Sequence, residues 1–125
     1  MADKRHERRL KIVQNLYAWE TNKNIPYFPN REEKVLEKTE KIKSKIKEID
    51  EYIKKYATKL PFDKIAKVDL SILRLGIYEL LYDDSVPDKV AIDEAINLAK
   101  ELGSARSYAF VNAIMEKVFK AKNES

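Results

Sequence analysis

The segment from Ile65 to Leu81 sets the tightest limit on what this chain can fold into. Ile65, Ala66, Val68, Leu70, Ile72, Leu73, Leu75, Ile77, Tyr78, Leu80 and Leu81 cover nearly the whole circumference of a helix at ~100° per residue. A helix that is apolar all round needs neighbours on most sides. The run falls short of the ~18 apolar residues of a membrane span, and Arg74 and Glu79 interrupt it. It therefore predicts a central helix over residues 63–82, with Asp63 as N-cap. The rest of a 125-residue chain then packs around it as a single domain, 1–125.

The flanking segments are helical in pattern. Residues 4–20 place Leu10, Val13, Leu16 and Tyr17 at helix spacing. Pro26 and Pro29 break residues 21–31 into a loop, which Tyr27 and Phe28 are expected to pin to the core. Residues 31–58 read as one long helix, with Val35, Thr39, Ile42, Ile46, Ile49, Ile53 and Tyr56 as a heptad-like seam. A solvated helix with one buried stripe is the plainer reading. A coiled-coil homodimer is the alternative. After an Asp83-Asp84-Ser85 turn, Val86-Pro87 opens a helix striped with Ala91, Ile92, Ala95, Leu98, Ala99 and Leu102. Gly103 is placed as its left-handed C-cap. Ser104 is placed to cap a last helix over about 105–121, striped with Val111, Ile114, Met115 and Val118. The fold class is all-α, since two glycines are too few for sandwiches, barrels or a phosphate loop.

Little in the chain supports catalysis. It has no cysteine and one histidine, which excludes disulfides, thiolate chemistry and histidine metal clusters. No nucleotide fingerprint or secretory signal is present. These features point to a soluble, cytoplasmic binding module with no metal or cofactor. The net charge is +4 and unevenly spread. Lys4, Arg5, Arg8, Arg9 and Lys11 crowd the first residues, whereas Asp84, Asp88, Asp93, Glu94 and Glu101 follow the central helix. Such asymmetry marks a partner-binding surface.

Helix geometry puts Arg5, Arg8, Ile12 and Trp19 on one flank. Arginines beside an exposed ring suit single-stranded nucleic acid, with guanidiniums on phosphates and a ring under a base. A solubilising helix end is the other reading. His6 reads as a bystander. Phe110 sits at the edge of the last stripe, as core or as a base platform, and helix geometry favours core. Arg74 and Glu79 need partners across helices, because an unpaired buried charge costs about 3–5 kcal/mol. Glu94 or Asp93 is the expected partner of Arg74.

The runs RRLKIVQNLYAWE (8–20), VDLSILRLGIYELL (68–81), VPDKVAIDEAINLAKELG (86–103) and FVNAIMEK (110–117) resemble, in order and spacing, the bacterial NusB family of transcription antitermination factors. The resemblance implies a helical fold of two small packed subdomains without catalytic activity. It implies binding of single-stranded boxA-type RNA in ribosomal RNA transcripts, together with NusE, a small-subunit ribosomal protein, in the elongating RNA polymerase antitermination complex. The family's RNA-binding stretch aligns with Arg5, His6, Arg8 and Arg9, with Lys4 nearby, and its RNA-contacting aromatic with Phe110. This raises the stacking role for that ring. The NusE-facing surface aligns with Tyr17 and Asp69. Glu7 interrupts the arginine run, Ala113 stands where glycine is frequent, Asp93 stands where asparagine is common, and residues 21–58 carry no family motif. The alternatives are a NusB-like domain with another task in ribosomal RNA processing, as at the N-terminus of ribosomal RNA cytosine methyltransferases, and a self-associating helical protein using the 35–56 seam.

Overall fold

The computed structural model describes residues 3–24 and 27–124. Pro26, one of the two expected loop breakers, lies outside the described residues. The elements are α1 (Lys4–Thr21), α2 (Glu33–Ser44), α3 (Ile46–Tyr56), a 3-10 turn (Phe62–Lys64), α4 (Lys67–Tyr82), α5 (Asp88–Leu102) and α6 (Ser107–Glu124), with no strand among the described residues. As the apolar circumference requires, α4 is the spine. Every residue from Asp69 to Leu80 is buried, and all five other helices pack against it. A Cβ on Gly76 would stand 3.0 Å from the Met115 side chain and 3.1 Å from the Ala95 Cβ. The missing side chain, with Ala91, Ala95 and Ala99 buried on α5, lets α5 and α6 come close to the spine.

Three expectations about helix ends change. The 31–58 segment is two helices, because Lys45 leaves helical geometry at φ −109°, ψ 11°. Its two halves serve different neighbours: α2 packs on α1 and α4, and α3 on α4 and α6. One straight helix could not follow both. The seam is consumed inside the chain, with Val35, Thr39, Ile42, Ile49 and Ile53 buried, so no apolar seam is left for a coiled-coil homodimer.

The spine begins at Lys67 rather than at residue 63. Hydrogen bonds donated by the Lys64 amide to the Pro61 carbonyl and by the Ile65 amide to that of Phe62 close a 3-10 turn. Ile65 then runs extended and buried, and Asp63 caps nothing.

Gly103 is extended (φ −93°, ψ −172°) rather than left-handed. Glycine fits there for a steric reason, since a Cβ would collide with the Ser107 side chain and lie 2.8 Å from the Ala99 carbonyl. The Ser104 amide donates to Ser107 Oγ at 2.9 Å, so Ser107 ties the turn that Ser104 was expected to cap.

The loop before α2 is held by Asn15, with Phe28 half-buried and Lys43 Nζ 5.2 Å from its ring centre. Asn15 Nδ2 donates to the Asn30 carbonyl at 2.9 Å, and its Oδ1 accepts from the Asn30 amide at 2.9 Å. Tyr27 is exposed.

A candidate nucleic-acid interface

Helix α1 is capped by Asp3, whose carboxylate accepts the Arg5 amide at 2.9 Å. Its inner face buries Arg9, Ile12, Val13, Asn15 and Leu16. Lys4 and Arg5 are exposed and Arg8 is half-buried. These three side chains enter no ion pair among the described residues. They are the available positive charge at this end of the molecule.

Arg9 and His6 differ from that expectation. Arg9 is buried, with Nε 2.9 Å from Glu79 Oε1 and 3.2 Å from Oε2. Lys38 of α2 also reaches Glu79, at 2.6 Å, and Asp83 at 2.9 Å. A cation enclosed in this way binds α1 to α2 and α4 and is withdrawn from solvent. His6 is no bystander. Its Nδ1 lies 3.2 Å from Glu94 and its Nε2 2.7 Å from Glu101. Both ring nitrogens face carboxylates, so in the protonated form each donates one hydrogen bond. The bonds to Glu94 and then to Glu101 raise the imidazole above its ordinary 6.5. This bridge joins the start of α1 to the end of α5.

The other charged expectations resolve across helices, with different partners. Arg74 forks onto Asp50 at 2.9 and 2.8 Å and reaches Glu20 at 2.7 Å. Glu94 is taken by His6, and Asp93 is exposed. Burial would lower the Arg74 guanidinium, but Asp50 and Glu20 outweigh it and hold it raised. Trp19 is not an exposed platform beside the arginines. It is half-buried, with Lys43 Nζ 5.3 Å and Arg74 Cζ 5.5 Å from its ring centre.

Sequence reasoning missed the surface beside the free arginines. A cleft of about 400 Å³ opens between α1 and the start of α5. Arg5, Arg8 and Lys38 line its rim, and Ile12, Val86, Pro87 and Val90 supply apolar surface. Val90 stays 40% exposed, one position off the buried α5 stripe, and that offset is the signal a sequence could give. The arrangement suits a ligand with an anionic backbone and flat apolar groups.

Phe110 is half-buried in the first turn of α6, packed against the core. Helix α1 packs on α4 and α2, and α6 on α4 and α5, so the ring and the arginines sit on separate elements. The His6–Glu101 bond ties the start of α1 to the end of α5, ahead of the turn that leads into α6. Tyr17 is 43% exposed. Asp69, in the first turn of α4, is buried, and its Oδ1 has no hydrogen-bond partner among the described residues. Among the described residues no cluster fits a metal ion, and no helix is long and apolar enough to cross a membrane.

The comparisons with known proteins agree with this architecture. A protein of Thermobifida fusca named transcription antitermination protein NusB is 36% identical over 129 residues, covering 94% of this chain and 90% of that protein. Proteins of the same name from Clostridium tetani and Natranaerobius thermophilus are 49% and 40% identical over 59% and 74% of this chain. The matched stretch spans 48% and 65% of those two relatives. The solved structure of T. maritima NusB superposes with a TM-score of 0.80 at 30% identity, over 96% of this chain and 93% of that one. A chain in a crystal structure of a plectonemic RNA supercoil also reaches 0.80, at 23% identity and over 97% of each chain, a likeness of fold alone. With its buried spine, its ordered sequence blocks and a match to the NusB family model over residues 6–120, the chain belongs to the NusB family.

Proposed function

We propose that the protein is an RNA-binding transcription antitermination factor. It binds boxA-type single-stranded RNA of ribosomal RNA transcripts together with NusE and joins the elongating RNA polymerase complex. The observation that carries this reading is the division of labour in α1. Arg9 and His6 are committed to carboxylates and fix the helix, while Arg5 and Arg8 stay free at a partly apolar cleft and Lys4 stands exposed beside them. Free guanidiniums beside apolar surface fit an unpaired strand, whose phosphates want cations and whose bases want a flat apolar contact. Phe110, half-buried at the start of α6, is the second base contact. Tyr17 and Asp69 face NusE. The phenol is exposed and open to a protein partner, and Asp69 lies in the first turn of α4.

The test compares a boxA-type RNA with a scrambled one, with and without NusE. Preference for boxA, tightened by NusE, supports the reading. Equal affinity for both RNAs with no NusE effect contradicts it. A self-association role finds no support, since the seam it requires is buried within the chain.

A further inference from the structure

We propose that a second groove, between α2 and the C-terminal end of α4, carries the flank of the same RNA strand by its phosphates. This rests on the RNA-binding reading above. The groove is about 420 Å³ and is lined by Arg8, Lys34, Lys38, Lys41 and Tyr82, among others. Arg8 and Lys38 also line the α1–α5 cleft, so the two depressions share a wall and a strand can pass from one into the other. Lys34, Lys38 and Lys41 recur at spacings of four and three, on one face of α2 and spread over about 10 Å of its axis.

The balance of charge favours an anion. Lys34 has no ion pair among the described residues. Lys41 meets Glu37 at 3.2 Å in an exposed i, i+4 pair, the kind that contributes little and yields to a competing anion. Asp83, the other acid of the groove, is neutralised by Lys38 at 2.9 Å and accepts from Ser85 Oγ at 2.6 Å. The first cleft offers apolar surface. This groove instead offers ammonium groups and the Tyr82 phenol, with Lys45 against the Tyr82 ring at 5.3 Å. It is therefore suited to hold the phosphate backbone. It also gives a role to the lysine-rich helix that carries no family motif.

The experiment measures affinity of the full chain for a short boxA-type RNA and for the same RNA extended at either end by a uridine tract. The extension is expected to tighten binding roughly tenfold and to steepen the salt dependence by ~0.7 for each added phosphate contact. The double variant Lys34→Glu, Lys41→Glu should lose that gain and keep the short-RNA affinity. Both side chains are exposed, and circular dichroism with Lys34→Gln, Lys41→Gln as a second variant guards against misfolding. The proposal is overturned if the extension adds nothing, if the variants retain the gain, or if they lose NusE binding instead, which would give the groove to the protein partner. Failure of the short RNA itself to bind would sink the RNA reading and this inference with it. Binding of the short RNA with no gain on extension would sink this inference alone.

Discussion

Arg9 and Glu79 form a buried ion pair between α1 and α4, with Nε 2.9 and 3.2 Å from the two carboxylate oxygens and Lys38 closing the other side. Removing one member leaves the other buried without its partner. Arg9→Ala is expected to destabilise the protein by about 3 kcal/mol, read by urea unfolding. Replacing the pair together, as Arg9→Met with Glu79→Leu, should recover most of that loss, because Lys38 still has Asp83. A loss of RNA affinity in Arg9→Ala without a loss of stability would contradict the strut role.

The imidazole of His6 gives stability a pH dependence of known sign. Its folded pKa lies above the ordinary 6.5 because Glu94 and Glu101 hold the charged ring. The contribution is complete below 6.5 and fades as pH rises through the folded value. Unfolding midpoints should fall over that window, and His6→Ala should flatten the dependence. At the acidic end Glu20 behaves in the opposite way. Burial pushes its carboxyl up, but Arg74 and Lys23 outweigh it and hold it below 4.5. Its contribution is present above 4.5 and is lost as pH falls through the lowered folded value.

Phe110→Ala separates the two readings of that ring. If the ring stacks a base, RNA binding weakens by about 1–3 kcal/mol, with a loss in stability that does not account for it. A fall in stability alone, at unchanged RNA affinity, assigns the ring to the core.

For the partner surface, Asp69→Asn and Tyr17→Ala should weaken NusE binding and leave RNA affinity of the free protein unchanged, measured by titration with each ligand. Weakened RNA binding in the absence of NusE would remove both residues from the partner surface.

The apolar skeleton was legible because it is periodic. The stripes Val13/Leu16, Ala91/Ala95/Leu98 and Val111/Ile114/Met115/Val118 are buried as their spacing requires. Ion pairing was not legible, because it depends on how helices cross. Nothing local distinguishes Glu20 and Asp50 from the solvated acids around them, yet they hold Arg74. The break at Lys45 carries no proline or glycine and follows from the two sets of neighbours that α2 and α3 serve. Arg9 could have been separated from its neighbours, since it lies four before Val13 and seven before Leu16, on the buried stripe. The charge run RHERR masked that position. The cleft arises where Val86, Pro87 and Val90 meet α1, and no single segment contains it.

Under the proposed function, the free cations at the start of α1 hold RNA phosphates. Its most direct test is the salt dependence of boxA-type RNA affinity for the unaltered chain and for Arg5→Ala with Arg8→Ala. The double variant is expected to bind more weakly, with a log–log slope flatter by ~0.7 for each phosphate contact removed and folding stability changed by no more than about 0.5 kcal/mol. An unchanged slope would place the RNA elsewhere and contradict a role for these cations.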